Sequence, residues 1–365
     1  MHRSLRAAMF VLFAAAGLSA SRHVHASTPF VPGTGEFLKD CSDDFEDPSW
    51  SYKYFLPKSS HEQDDQQRSP GGRSSNNLWH EGAKRGTTDT VRRVETPPGG
   101  IEGSAGALLF ATKYSGIPGK VTNEQQQDDL LMLFNRRLGR SISMNWQPSC
   151  TVRVYLPPFD QWENRTGPSF GMRADCRGRN PDGSVEEYWP GMFLLFRHAN
   201  GRSIKEDGAK LTVRAGVRGN DLREKDITEP GWWTLGMSFG ADGQIHYYAS
   251  EGVDDLTADD FITSQFPYGM KCQSFNNFFF NVANWDNGRN WSTPWVIDDP
   301  KIFVIPPQGQ TVANLYRVKA KPQAKRQVTR QQQQPRQQGQ TTQNRSNSQQ
   351  TNNRSASASR SGSQR

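Results

Sequence analysis

The sequence predicts an all-β chain, a two-sheet antiparallel jelly-roll sandwich with one or two short helices and a disordered C-terminal tail. Three observations predict it. Apolar and polar residues alternate in many short segments. A turn signal, Asp242-Gly243, joins two such segments. Residues 41–307 have a length that one β domain can fill, with few stretches at helical spacing.

Taken in order, the elements read as follows. Residues 123–138, NEQQQDDLLMLFNRRL, place Leu130, Phe134 and Leu138 at helical spacing with Gly139 as a stop, which predicts a helix. TVRVYLP alternates Val152, Val154 and Leu156, and FGMRADC alternates Phe170, Met172, Ala174 and Cys176. These two are expected to pair as a hairpin around the loop FDQWENRTGP. LTVRAGVRG alternates Leu211, Val213, Ala215 and Val217. WWTLGMSFGADGQIHYYAS reads as a hairpin with Trp233, Leu235, Met237, Phe239, Ile245 and Tyr247 on one face. GALLFATKY, GMFLLF, NNFFFNVANW and PKIFVI are richer in apolar residues, as central strands should be. Thr257 and Asp260 have capping-box spacing, predicting a short helix over 258–264.

Residues 1–26 read as a signal peptide. His2, Arg3 and Arg6 precede an apolar run of 14 residues, and Val24-His25-Ala26 fits a cleavage site. The expected location is therefore extracellular or periplasmic. No later segment is apolar for long enough to cross a membrane as a helix. Residues 27–40 form a leader, 41–307 the sandwich, 308–316 a linker and 317–365 a tail. The tail holds 11 Lys/Arg and no Asp/Glu, while 27–316 carries a net charge of −7. With almost no apolar residue, the tail cannot offset its ordering entropy. Its charge suits anionic surfaces and implies no specific nucleic-acid fold.

Four cysteines in an exported chain suggest two disulfides. The hairpin would set Cys150 opposite Cys176, leaving Cys41 with Cys272. No zinc spacing, Gly-rich phosphate loop or Gly-x-Ser-x-Gly elbow occurs, and no cofactor for chemistry is implied.

The polar faces of the strands carry the candidate chemistry. Arg153, Tyr155, Arg173, Arg214, Arg218, Trp232, His246 and Tyr248 would share one outer face if their strands belonged to one sheet. Aromatic rings stack on sugars, and arginine forks grip carboxylate or sulfate. Such a face would bind a polysaccharide. Trp285, Trp291 and Trp295, among many amides, read either as a sugar-binding rim or as a core strand and its loop.

DDFEDPSW, PGWWTLGMSFGADGQIHYYAS and TPWVIDDPKIF resemble the concanavalin A-like lectin/glucanase superfamily, close to its laminin G-like members. The resemblance covers 41–307. It implies the jelly roll, and a lectin, binding module, hydrolase or lyase role. The glucanase carboxylate pattern E-x-D-x-x-E is absent. Gln244-Ile245-His246 is similar to a strand motif of jelly-roll alginate lyases, which implies that Gln244 would help neutralise the uronate carboxylate, His246 would be the base and Tyr248 or another tyrosine the acid, with Arg173 the fourth catalytic residue of a lyase. The arginine-bearing strand of those enzymes has no counterpart in the expected place. The leading reading is thus a secreted carbohydrate-binding protein. A polysaccharide lyase and a non-catalytic envelope scaffold are the alternatives. Finally, pairing of the first and last strands would gather Asp43, Asp44, Asp298 and Asp299 at one rim, where hard oxygen ligands could hold a structural Ca²⁺.

Overall fold

The computed structural model describes residues 28–58, 69–116 and 120–316. The expected signal peptide and the basic tail lie outside the described residues. The described residues cluster as one compact unit.

In chain order the strands are β1 (Glu36–Phe37), β2 (Tyr52–Lys53), β3 (Arg73–Ser74), β4 (Trp79–Glu81), β5 (Thr90–Val94), β6 (Ala107–Ala111), β7 (Gln125–Met132), β8 (Ile142–Ser143), β9 (Ser149–Leu156), β10 (Gly167–Arg179), β11 (Val185–Tyr188), β12 (Gly191–Arg197), β13 (Gly208–Arg214), β14 (Asp221–Ile227), β15 (Gly231–Phe239), β16 (Ile245–Glu251), β17 (Phe261–Gln265), β18 (Lys271–Trp285) and β19 (Trp295–Val304). Sheet I runs β17-β16-β15-β9-β19-β6-β5, with β1 also on β19. Sheet II runs β14-β13-β12-β10-β18-β7-β4-β3-β2, with β11 on β10 and β8 on β18. All pairings are antiparallel, so the fold is the two-sheet sandwich expected from the sequence.

Period-two alternation builds the core. Val152, Val154, Leu235 and Met237 point inward from sheet I, and Phe170, Met172, Phe278 and Phe280 from sheet II, all at 0–1% exposure. Each such side chain stabilises the fold by roughly 1.5–3 kcal/mol. Aromatic rings bridge the layers, with Phe110 5.8 Å from Phe280 and Phe170 5.0 Å from Trp295. The β15–β16 hairpin forms as read, Phe239 opposite Ile245 around Gly243 at φ +86°. Leu315, in the expected linker, is buried in the same core.

Three expectations are corrected. Residues 125–132 are strand, not helix, because Gln125–Met132 pair residue by residue with β18. Only one helical turn remains, α1 (Phe134–Leu138), closed by Gly139 at φ +72°. The second helix is a three-residue turn, Ala258–Asp260, with the expected capping box. Finally, β9 and β10 are not a hairpin. Each has one apolar face, and both faces serve the same core from opposite sheets. The expected disulfides are absent too: neither Cys150 and Cys176 nor Cys41 and Cys272 are joined, and all four thiols are free and buried. Cys41 donates to Phe134 O at 3.9 Å, and burial pushes its thiol up to about 12.

Candidate functional site

The sandwich divides the sequence-predicted residues between its two outer faces. Arg153, Tyr155, Trp232, His246 and Tyr248 lie on sheet I. Arg173 and Arg214 lie on sheet II, and Arg218 is exposed in the β13–β14 turn. The single face expected from the sequence is therefore two. Arg173, Gln244, His246 and Tyr248 do not line one groove, because β10 and β16 belong to different sheets.

Sheet I is largely covered. The leader crosses it, with Ser238 Oγ donating to Phe30 O at 2.6 Å and Gly33 N donating to Ser149 Oγ at 3.2 Å. The space over Gly236, diagonal to His246, is filled by Pro32 and Leu256. A Cβ there would stand 2.4 Å from Leu256 Cδ1. His246 is fully buried, its Nδ1 2.7 Å from Ser264 Oγ and its ring against Phe30. Burial holds its pKa below the usual histidine range. Gln244 is half-buried at the β16 approach. Tyr248 packs on Phe261, and Trp232 Nε1 donates to Pro98 O at 3.2 Å beside Tyr155. Arg153 is pinned: its Nη2 meets Asp255 at 2.5 Å, its Nη1 Asp299 at 3.1 Å, and its Nε donates to Val253 O at 3.1 Å.

The acidic rim forms as the two sequence stretches implied. Asp43 N donates to Pro300 O, and Ser42 Oγ accepts from Ile302 N. Asp43, Asp44 and Asp299 line one cleft, and Asp44, Asp298 and Asp299 its neighbour. Protein donors answer these carboxylates. Asp43 accepts from Trp79 Nε1 at 2.6 Å, Asn76 Nδ2 at 2.8 Å and Trp50 Nε1 at 3.2 Å. Asp299 meets Lys301 at 2.6 Å as well as Arg153, and Asp298 accepts from Ser104 Oγ at 2.9 Å. Among the described residues no group of three or more His, Cys, Asp or Glu is arranged to hold a metal ion. Asp298 opens a bulge in which Asp299 adopts φ +53°. Burial first, then Asp299, pushes Asp298 up to about 7.

Sheet II presents the other candidate surface. Arg173, 8% exposed, lies 5.6 Å from both the Phe193 and the Phe279 ring centroids. Its Nε and Nη2 both donate to Trp189 O, at 3.1 and 2.7 Å. Among the described residues it makes no ion pair. Burial lowers its pKa, with Asp129 acting the other way. Arg214 stacks on the same Phe193 ring at 4.1 Å, and its Nε meets Asp221 at 2.8 Å. Along β18, Asn277 and Asn281 point to the same side as Phe279. Asn277 Nδ2 donates to Asp175 Oδ2 at 2.7 Å, and Asn281 Nδ2 to Asp129 Oδ1. Both amide oxygens are buried and unpartnered. Burial, then Glu187, pushes Asp175 up to about 6.

A cleft of about 140 Å³ opens there, lined by Lys84, Asp129, Asp175, Trp189, Asn277 and Phe279 among others. Lys84 Nζ sits 3.6 Å over the Trp189 ring. At the far end of β18, Trp285 is 43% exposed, and Trp291 in the following loop 49%, whereas Trp295 is core. Sequence reading missed Lys84, Asp129, Trp189, Phe193, Asn277, Phe279 and Asn281. Asn277, Phe279 and Asn281 share a parity that could have been read once NNFFFNVANW was taken as a strand. Phe193 was absorbed into an apolar run.

No known family model matches the chain, and no curated protein matches its sequence. Among solved structures it is similar to a carbohydrate esterase of the Shiga toxin-encoding bacteriophage phi24B, at 11% identity and TM-score 0.39, covering 63% of this chain and 91% of that one. It is similar also to a marine alginate lyase of Zobellia galactanivorans, at 11% identity and TM-score 0.34, covering 70% and 94%. A third is a Caldicellulosiruptor saccharolyticus carbohydrate-binding module in complex with mannohexaose, at 12% identity and TM-score 0.28, covering 63% and 91%.

Proposed function

We propose that the outer face of sheet II binds an acidic polysaccharide. The observation that carries this reading is Arg173, a buried cation held between two phenylalanine rings, with no carboxylate at ion-pair distance among the described residues. A uronate carboxylate or a sulfate would supply a directly bonded counter-charge through a charge-assisted hydrogen bond. The unpartnered oxygens of Asn277 and Asn281 would accept sugar hydroxyls, since a buried acceptor left unmade is costly. Trp285, exposed on the same strand, offers a ring for stacking. From Asn277 to Trp285 the strand extends about 26 Å, enough for several linked sugar rings.

We infer that binding takes place outside the cytoplasm, from the signal-like segment 1–26. The tail's unopposed positive charge suits the same class of polymer. The test is affinity electrophoresis through gels containing polygalacturonate, alginate or neutral dextran, at low and high salt. Retardation by the acidic gels alone, weakened by salt, supports the reading. Equal mobility in all gels sinks it and leaves the envelope scaffold. Ultraviolet absorbance from unsaturated uronates would make the face a lyase site.

A further inference from the structure

The leader and the loop 253–256 both cross sheet I but leave a cleft of about 560 Å³, lined by Pro32, Phe37, Thr151, Leu256, Lys301 and Phe303 among others. Thr151 faces outward from β9, opposite Gly236 on β15 and Lys301 on β19. It is 5% exposed, and its Oγ1 has no hydrogen-bond partner. A valine would fill the same volume without an unanswered polar atom.

The charges at this cleft are already matched. Lys301 meets Asp299 at 2.6 Å, and Asp255 meets Arg153 at 2.5 Å. A charged ligand would have to displace one of these pairs. What remains unanswered is hydrogen-bonding capacity, set between the apolar walls of Pro32, Phe37, Leu256 and Phe303. The ligand that matches is uncharged, ring-sized, hydroxyl-bearing on its edge and apolar on its face.

We propose that this cleft is a second binding site, for a neutral sugar residue, with a ring hydroxyl hydrogen-bonded to Thr151 Oγ1. It is independent of the acidic-polymer face, which lies on the other sheet. The leader supplies one wall, so the site exists only where residues 31–37 are in place.

The test is ligand-observed NMR titration of the full chain with glucose, mannose, galactose and their short oligosaccharides. Saturable binding of at least one, unchanged by excess polygalacturonate, is expected. Thr151→Val should weaken it about tenfold, the loss of one hydrogen bond, while raising the melting temperature. Thr151→Ser, which keeps the hydroxyl, should bind within about threefold of the parent. The proposal is overturned if no neutral sugar saturates, if polygalacturonate competes, or if Thr151→Val binds as the parent does. Retention of acidic polymer in gels would stand in each of those cases, so the two readings fail separately.

Discussion

Arg153 and Arg173 occupy inner strands of opposite sheets, and both are almost wholly buried on an outward-facing position. Arg153 is met by two carboxylates and a carbonyl. Arg173 has one carbonyl and two aromatic rings. The difference teaches how to read a buried cation. A guanidinium closed by its own chain fastens loops, here 253–255 and the Asp298–Lys301 bulge. One whose counter-charge is missing is available to a ligand.

The largest expected effect separates them directly. Arg153→Met removes three hydrogen bonds and leaves Asp299 to Lys301 alone, and should cost about 2–3 kcal/mol of stability, measured by chemical denaturation. Its affinity for acidic polysaccharide should be unchanged. Arg173→Met should do the reverse. Loss of a charge-assisted bond worth about 1.5–3 kcal/mol predicts at least tenfold weaker retardation in polygalacturonate gels, with only about 1 kcal/mol lost in stability. If both variants lose stability alike and neither loses affinity, the comparison is broken.

Proton linkage sharpens the same contrast. Asp298 is pushed up to about 7. The folded state therefore keeps a proton that the unfolded chain releases in the ordinary carboxylate range. Stability should fall as pH rises from about 4 toward 7. Asp298→Asn should remove that slope and be more stable than the parent at pH 8, by on the order of 2 kcal/mol, as melting temperatures across pH would record. On sheet II, Asp175 is pushed up to about 6. Above that pH it becomes a carboxylate beside the proposed acidic ligand. Binding should weaken as pH rises through 6, and Asp175→Asn should flatten the profile.

The smallest effects are expected of the features the fold closes internally. A chelator should leave the melting temperature unchanged, because tryptophan, asparagine, arginine and lysine donors already meet the rim carboxylates. A shift of several degrees would support the structural calcium expected from the sequence. Denatured without reductant, the chain should titrate four free thiols; two would mean that a pair had closed.

Much of the fold was legible. Alternation in TVRVYLP, FGMRADC and WWTLGMSF correctly assigned which side chains enter the core, because a strand has only two faces. The neighbourhood of DDFED and IDDPKIF was legible too, as an inference from strand order. Residues 123–138 misled because Leu130, Phe134 and Leu138 fit helical spacing although Leu130 belongs to β7 and only Phe134 and Leu138 to α1. Period alone could not show that eight residues would pair with β18.

The candidate site was half legible. Its residue types were readable, since arginines, amides and aromatics on strand outer faces were visible as such. Their grouping was not. Composition and parity state that Arg153, Arg173 and His246 all face away from the core, but a sandwich has two outward sides. Which side each strand joins depends on partners more than 100 residues away, such as Asp299 for Arg153. Burial of the outer face depends on segments that the alternation does not describe. His246 looks solvent-facing in QIHYYAS and is sealed by Phe30.

By itself, then, the sequence determined the alternating strands, their inward faces and the charge asymmetry between body and tail. These follow from local periodicity and from composition. Only the tertiary structure decided that β9 and β10 lie in opposite sheets, that the four cysteines are free thiols, and that one buried arginine is closed by carboxylates while the other is not. Those outcomes turn on which of two equivalent surfaces each strand joins, and a period of two residues holds no record of that choice.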